Sequence, residues 1–232
     1  MQRYTPKDNE SHPPLIHPPY KSSVTRSPTK DPIIVPQTIT ELTGPCFDPA
    51  SLPEYSNDLT TNGRKSGEPI GERLIVTGRI LDENGDPVPG AMVEIWQANS
   101  AGRYRDREDQ HHAPIDPNFL GAGRAITDAN GWYRFLTLRP GAYPWGNHPN
   151  AWRPPHIHFS VFGANIMTRL VTQMYFEGDP LLEYDPIYSG PPDEARKRMV
   201  AACSMEQTEE GFALGYLWDI VIRGPKATPF ED

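Results

Sequence analysis

Short, mainly apolar stretches separated by glycine, proline and asparagine recur along the chain from residue 72 onward, and they predict β-strands. The predicted strands cover residues 73–81, 91–97, 156–162, 169–176 and 217–223, and a hairpin covers 125–135 with its turn at Asn130–Gly131. A second pair of this kind, Asn84–Gly85, lies in the turn-rich connection 82–90 and is another hairpin signal.

Only residues 192–203 have the pattern of a helix. Asp193 and Glu194 suit the positive N-terminal end of its dipole, and Ala195 and Met199 fall on one face. Seven or more short strands with this one short helix near the C-terminus predict an all-β fold, and we expect an antiparallel β-sandwich.

The first 70 residues differ in composition from the rest. Twelve of the 27 prolines precede residue 71, and proline resists regular helix and sheet. We therefore expect residues 1–70 to form an extended, irregular arm and residues 71–232 to form the β domain. Apolar residues in the arm favour packing on the domain and on a partner chain over disorder. They are Tyr20, Ile33, Ile34, Val35, Phe47 and Tyr55.

The charge balance argues against two classes of partner. The net charge is −8 and the chain has no basic run, so nucleic acid and anionic membranes are poor partners. We find no signal peptide or membrane-spanning pattern and expect a cytoplasmic protein. Cys46 and Cys203 lie far apart without metal-finger spacing, and we interpret them as free thiols or packing residues.

Residues 143–160 contain the most specific chemical pattern, a His-x-His pair. In an extended strand His156 and His158 project from the same face, and Pro154 and Pro155 favour an extended chain ahead of them. The pair alone is compatible with an ordinary polar strand face. A cupin site would need a glutamate four or five residues beyond the pair, where Phe162 and Gly163 lie instead. An iron site of two histidines and one carboxylate is also disfavoured, because no aspartate or glutamate lies within the stretch. The nearest further ligands are phenols.

Two resemblances follow from longer motifs. The pattern G-x-I-x-D-x-x-G-x-P-x-x-G-A in residues 78–91, followed by T-D-x-x-G-x-Y-x-F, resembles transthyretin-like (prealbumin-like) β-sandwiches. Many of these are noncatalytic binding modules, and such a module is one alternative. The motifs W-Q-A-N-x-x-G-R-Y-R from Trp96, Y-P-W from Tyr143 and W-R-P-x-H-I-H-F from Trp152 resemble the intradiol ring-cleaving dioxygenases.

Within that family the chain is most similar to the iron-bearing β chains of the enzymes that act on protocatechuate. Residues 20–28 and 173–178 share in this similarity. The resemblance implies one Fe(III) per chain, held by Tyr104, Tyr143, His156 and His158, whose successive spacings are 39, 13 and 2 residues. Residue chemistry agrees, because hard phenolate oxygens suit ferric iron and imidazole binds it in the neutral form.

The same resemblance implies an activity. Protocatechuate (3,4-dihydroxybenzoate) would be cleaved with O2 between its hydroxyl-bearing carbons to give 3-carboxy-cis,cis-muconate, in the β-ketoadipate pathway of aromatic catabolism. Tyr143 would leave the iron and take a substrate proton, and Arg153 would stabilise negative charge on the ring. The implied substrate contacts are Tyr20, Arg26, Trp145, Gln173 and Ile187. A catechol or hydroxyquinol dioxygenase is the alternative within the family.

The resemblance also implies a partner, an α subunit that lacks the ligands and joins this chain in an (αβ)n assembly. One position departs from the expected pattern. Gly146 follows Trp145 where several related β chains carry arginine. Part of the recognition of the substrate carboxylate is therefore expected to be absent or to come from the other subunit.

Overall fold

The computed structural model describes residues 9–30, 33, 47, 56–163, 166 and 168–231. Strands provide most of the regular structure in this part of the chain. They are β1 (Arg73–Leu81), β2 (Met92–Trp96), β3 (Ala122–Ile126), β4 (Trp132–Leu138), β5 (Tyr143–Pro144), β6 (Trp152–Arg153), β7 (His156–Phe162), β8 (Leu170–Phe176), β9 (Val200–Cys203), β10 (Leu214–Leu217) and β11 (Ile220–Val221). The α-helices are α1 (Lys21–Arg26), α2 (Pro186–Ser189) and α3 (Asp193–Arg196).

Nine of these strands form one mixed sheet, in the order β11-β1-β10-β9-β8-β7-β2-β3, with β4 on the other side of β1. The sheet curls into a nearly closed barrel, because its edge strands β3 and β4 contact each other. β1 pairs in parallel with β10 and β11, and β8 pairs in parallel with β9. The predicted antiparallel, transthyretin-like sandwich is therefore wrong: alternation within a strand reports which face is buried, and it carries no information about the direction of the neighbouring strand.

Two local predictions also change in the fold. The turn at Asn130–Gly131 is present, with Gly131 at a φ of 76°, but β3 pairs with β2 and β4 pairs with β1, so the predicted hairpin ladder is absent from the described pairings. The strand predicted over residues 217–223 is divided into β10 and β11, which both pair with β1. Gly78 permits this division, because a Cβ at this position would lie 1.8 Å from the carbonyl oxygen of Trp218.

The helix predicted over residues 192–203 is wrong beyond its first turn. α3 ends at Arg196, a 3-10 turn follows at Lys197–Met199, and the rest of the segment is β9. β9 lies between β8 and β10 and pairs with both. Pairing with two neighbouring strands outweighs a weak local helix preference.

The core lies inside the curled sheet. Phe135, Phe159 and Tyr133 pack edge-on or at an angle with centroid separations of 5.8–6.3 Å. On β7, Ile157 and Phe159 are fully buried in this core. His156 and His158 alternate with these two residues along β7. They therefore project from the opposite face of the strand, as the alternation predicts.

The N-terminal segment 9–30 lies against the domain. The Ser11 hydroxyl donates to the carbonyl oxygen of Pro225 (2.7 Å), and the backbone N–H of Lys21 donates to Asn147 Oδ1 (2.8 Å). The division at residue 70 and the contact of the arm with a partner chain stay predictions. Ile33 is exposed and Cys203 is an exposed free thiol. Ile34, Val35, Cys46 and Tyr55 lie outside the described residues.

The helices of the described segments are short. None of them is long and apolar enough to span a lipid bilayer.

Candidate metal centre

The side chains of Tyr104, Tyr143, His156 and His158 converge at one point. His158 Nε2 lies 3.1 Å from Tyr104 Oη. His156 Nε2 lies 3.4 Å from Tyr104 Oη and 3.3 Å from Tyr143 Oη. The two imidazole rings are 4.9 Å apart and nearly perpendicular. The four groups therefore face a common centre, although they are separated by up to 54 positions in the sequence.

Three different elements deliver these groups. β7 carries both histidines on one face, and the ribbon of β5 and β6 places Tyr143 opposite Arg153. Tyr104 comes from the loop after β2, where its backbone N–H donates to Asp109 Oδ2 (2.8 Å). In the same loop Gly102 has a φ of 77°, and a Cβ there would lie 2.1 Å from the carbonyl oxygen of Ala142. Glycine at this position allows the loop to approach the start of β5 closely.

The spacing of these donor atoms fits a transition-metal ion. Nitrogen and oxygen ligands lie about 2.0–2.2 Å from such an ion, so ligands at 90–120° to each other are about 2.8–3.8 Å apart. The separations of 3.1–3.4 Å fall within that range. No group of three or more His, Cys, Asp or Glu side chains suited to a metal occurs in the described part of the chain. The donor set is therefore two imidazoles and two phenols.

Both histidines present Nε2 to the centre because their Nδ1 atoms have acceptors. His156 Nδ1 donates to the carbonyl oxygen of Pro154 (2.7 Å), and His158 Nδ1 donates to Glu231 Oε2 (2.8 Å). A carbonyl oxygen can only accept, so the proton of neutral His156 lies on Nδ1 and its Nε2 lone pair is free for a metal. Burial and the nearby Arg153 keep the pKa of His156 well below its usual value.

The two phenols are protonated without a metal. Burial raises the pKa of Tyr104 well above 10, and the neighbouring Tyr143 raises it further. Burial also raises the pKa of Tyr143, although Arg153 opposes the shift. A highly charged cation at the centre reverses this balance, because it stabilises the phenolates directly. A strongly Lewis-acidic ion therefore suits this donor set better than a weakly acidic one.

Arg153 lies beside the centre within a buried network. Its Nη2 donates to Gln173 Oε1 (2.6 Å), Tyr175 Oη (2.9 Å) and Asp185 Oδ2 (2.8 Å), and its Nη1 lies 3.4 Å from His156 Nε2. Burial alone would lower the pKa of Arg153, but Tyr175 and Asp185 outweigh it and the pKa is raised. The guanidinium is a fixed positive charge next to the converging donors.

Trp145 lies beside the centre, at a cavity that is open to solvent. With Tyr104 and Tyr143 it lines an open cavity of about 550 Å³, and Arg153 lies 5.3 Å from the centroid of its ring. Gly146 also lines this cavity, and a Cβ built on Gly146 meets nothing within 4 Å. A larger side chain would fit there, so no steric contact requires glycine at this position.

The other predicted substrate contacts divide into two groups. Gln173 is buried beside Arg153 and donates through Nε2 to Glu231 (2.9 Å). Tyr20, Arg26 and Ile187 line a separate cavity of about 710 Å³ between the N-terminal segment and the domain. The Tyr20 ring also lies near the open cavity, with its centroid 5.7 Å from that of Trp145.

Sequence reasoning missed several residues around the centre. Asp185 and Tyr175 complete the network of Arg153, and Glu231 accepts from His158. Trp96 stacks on His158, with centroids 4.8 Å and planes 6° apart. Trp96 pairs with His158 across β2 and β7, and Tyr175 pairs with His156 across β7 and β8. Strand register would have revealed these two, but register was not readable from the sequence.

The chain matches protein families and curated relatives over most of its length. The dioxygenase family model matches residues 42–224, and the model for the N-terminal segment of the protocatechuate 3,4-dioxygenase beta subunit matches residues 5–38. The protocatechuate 3,4-dioxygenase beta chain of Burkholderia cepacia is 59% identical and covers 98% of this chain and 97% of its own length. The alpha chain from the same organism is 29% identical over 84% of this chain and 97% of its own length.

Among solved structures, 3-chlorocatechol 1,2-dioxygenase from Rhodococcus opacus 1CP superposes with a TM-score of 0.55. That match covers 76% of this chain and 69% of the other, at 24% sequence identity. At this identity the likeness concerns the fold alone.

Proposed function

This chain belongs to the intradiol dioxygenase family, and from that premise we propose that it cleaves protocatechuate with O2 between the two hydroxyl-bearing carbons. The product is 3-carboxy-cis,cis-muconate, in the β-ketoadipate pathway of aromatic catabolism. The convergence of two phenols and two imidazoles within 3.1–3.4 Å of one another is the observation that carries this proposal. A noncatalytic binding module would have no need of it.

Members of this family generally depend on non-haem iron(III). In this chain Tyr104, Tyr143, His156 and His158 would hold one Fe(III), and the donor spacing supports that assignment. Ferric iron held by these residues would supply Lewis-acid chemistry, which makes a catechol ring more reactive toward O2. Two phenolates reduce the net charge of the ion, which lowers the cost of keeping it in a buried site.

Tyr143 acts as the base for the substrate. It lines the open cavity, so its ring has space to move toward solvent. Burial raises the pKa of Tyr143, so its phenolate would be a strong proton acceptor. A catechol hydroxyl bound beside Tyr143 would lose its proton to this oxygen.

Arg153 stabilises the negative charge that develops on the deprotonated ring. Its guanidinium is held by three acceptors on Gln173, Tyr175 and Asp185, so little reorganisation is needed when the charge forms. Its position 3.4 Å from His156 Nε2 places it next to the site of chemistry. This role is electrostatic and requires no proton transfer from arginine.

Five residues are proposed to contact the substrate. Trp145 forms the wall of the open cavity, Gln173 lies beside Arg153, and Tyr20 reaches Trp145 from the N-terminal segment. Arg26 and Ile187 contribute from the neighbouring cavity. The guanidinium of Arg26 lies 5.3 Å from the Tyr20 ring centroid, so it brings positive charge toward the carboxylate of a benzoate.

An α subunit is the proposed partner. The related enzyme of Burkholderia cepacia has chains named alpha and beta, and this chain resembles both. We propose an (αβ)n assembly in which this chain holds the iron and the α chain completes the recognition of the carboxylate. The open space at Gly146 supports a contribution from outside the chain.

Co-expression with an α chain tests the function. Purified protein should contain about one iron per β chain, show a visible phenolate-to-iron absorption band, and consume O2 with protocatechuate faster than with catechol or hydroxyquinol. Faster turnover of either other catechol would reassign the substrate. Protein that stays colourless and takes up no O2 after iron supplementation would exclude the enzyme and favour a binding module.

A further inference from the structure

Glu231 reaches the metal centre from the segment that follows β11. Its Oε2 accepts a hydrogen bond from His158 Nδ1 (2.8 Å) and another from Gln173 Nε2 (2.9 Å). It lies 73 positions from His158 in the sequence, and no family motif drew attention to it. Its carboxylate also lines the cavity beneath the N-terminal segment.

The backbone around Glu231 holds this carboxylate in place. The N–H of Glu231 donates to the carbonyl oxygen of Val171 on β8 (3.0 Å), and the N–H of Thr228 donates to Val221 on β11 (2.8 Å). Between them, the N–H of Phe230 donates to His12 Nδ1 (3.2 Å), and the two rings are 4.6 Å apart. Residues 228–231 are therefore hydrogen-bonded both to the sheet and to the N-terminal segment.

The two histidines are oriented by different kinds of acceptor. His156 donates to the backbone carbonyl of Pro154, two residues earlier in the chain, and no side-chain substitution removes that oxygen. His158 donates to a side chain. A carboxylate that accepts from a ligating imidazole fixes the ring and increases its basicity, and loss of such a partner typically costs about 10- to 100-fold in metal affinity.

We propose that Glu231 is a positioning residue for the metal centre, because its carboxylate fixes His158 with Nδ1 as the donor and Nε2 as the ligand. This inference rests on the proposed function, since it concerns the same centre. Gln173 is part of the arrangement: it donates to Glu231 through Nε2 and accepts from Arg153 through Oε1, so one amide connects the carboxylate to the guanidinium.

Two variants and one control test the proposal in the full chain co-expressed with an α chain. Glu231→Ala removes the acceptor. Glu231→Gln keeps one acceptor oxygen of the same reach, removes the charge and replaces the other oxygen with an NH2 group. Glu83→Gln is the control. Glu83, in the loop after β1, is also a partly buried carboxylate in an ion pair, and its partner is Arg223, away from the metal centre. Iron affinity is measured by competition with a chelator, together with the phenolate-to-iron absorption band and the unfolding temperature of the metal-free protein.

Glu231→Ala should bind iron about 10- to 100-fold more weakly than wild type. Glu231→Gln should recover most of this affinity but shift the absorption band, because a neutral acceptor makes His158 a weaker donor. Glu83→Gln should match wild type in both readouts. Recovery by glutamine separates positioning from a general effect on folding, which the metal-free unfolding temperature would reveal.

Wild-type affinity and an unshifted band in both Glu231 variants would overturn the role of Glu231 and leave the proposed function intact. Failure of the wild-type protein to bind iron would instead remove the metal centre itself, and the role of Glu231 with it. Equal losses in Glu231→Ala and Glu231→Gln, with a lowered unfolding temperature in both, would mean that Glu231 supports the fold and does not position His158.

Discussion

At the scale of single residues, His156 and His158 offer the same nitrogen to the centre for different reasons. A backbone carbonyl defines the tautomer of the first, and the carboxylate of Glu231 defines that of the second. Burial keeps the pKa of His156 low, so its Nε2 lone pair stays available. The two phenols need the metal in order to ionise, so the imidazoles are prepared for binding and the tyrosines are not.

His158→Ala should therefore lose most of its iron. The substitution removes one of four ligands and also leaves Glu231 without its imidazole partner. We expect less than a tenth of the wild-type iron content after dialysis, measured by elemental analysis. His148→Ala is a matched control, because His148 is exposed and bonds only locally to Pro149. Wild-type iron in His158→Ala would remove His158 from the ligand set.

Tyr143→Phe should still bind iron, since three ligands remain, but it lacks the oxygen that takes the substrate proton. Stopped-flow mixing with protocatechuate under anaerobic conditions should show substrate binding slowed by about 10²- to 10⁴-fold, the usual contribution of a general base. Tyr184→Phe, at an exposed tyrosine, should behave as wild type. An unchanged binding rate in Tyr143→Phe would refute the assignment of the base.

At the scale of elements, Asp185 joins a helix to the centre. Its Oδ1 accepts from the N–H of Ile187 at the start of α2 (3.2 Å), and its Oδ2 accepts from Arg153 and Tyr175. One buried carboxylate therefore caps α2 and neutralises the guanidinium beside the metal ligands. The position of the helix and the position of the charge depend on the same residue.

Asp185→Ala should destabilise the protein by about 3–5 kcal/mol, because it leaves Arg153 as a buried charge without its carboxylate. Urea unfolding of the metal-free protein measures this change. Asp193→Ala removes an exposed carboxylate that pairs with Arg196 on α3, and its unfolding midpoint should stay within error of wild type. A loss in Asp185→Ala no larger than in Asp193→Ala would contradict the importance of the buried pair.

At the scale of the whole molecule, the curled mixed sheet brings the loop after β2, the β5–β6 ribbon, β7 and the segment after β11 to one place. The N-terminal segment covers the neighbouring cavity of about 710 Å³. The centre is thus assembled from distant parts of the chain, and its outer side opens at Trp145 and Gly146.

That open side leads to a prediction about assembly. Co-expressed with an α chain, this chain should purify as an αβ complex with equal numbers of the two subunits, measured by native mass spectrometry. The complex should have a lower KM for protocatechuate than the β chain alone, because the α chain supplies contacts to the carboxylate. A homo-oligomer of this chain that turns over protocatechuate with the same KM would refute the need for an α subunit.

Much of the local structure was readable from the sequence. Apolar stretches predicted the bounds of β1, β2, β7 and β8 to within one residue, because burial of one face requires a periodic pattern. The projection of His156 and His158 from one face followed from the same alternation. The family was also readable, because motifs around Trp96, Tyr143 and Trp152 are specific. The assignment of individual site residues stays a prediction.

Only the tertiary structure decided how these pieces meet. Residues 200–203 became β9 because strands on both sides offered pairing, and β10 and β11 lie parallel to β1 because the chain returns from far away. Asp185 and Glu231 entered the centre in the same way. Periodicity and motifs are local, whereas strand direction, register and contacts across 73 positions depend on the packing of the whole chain.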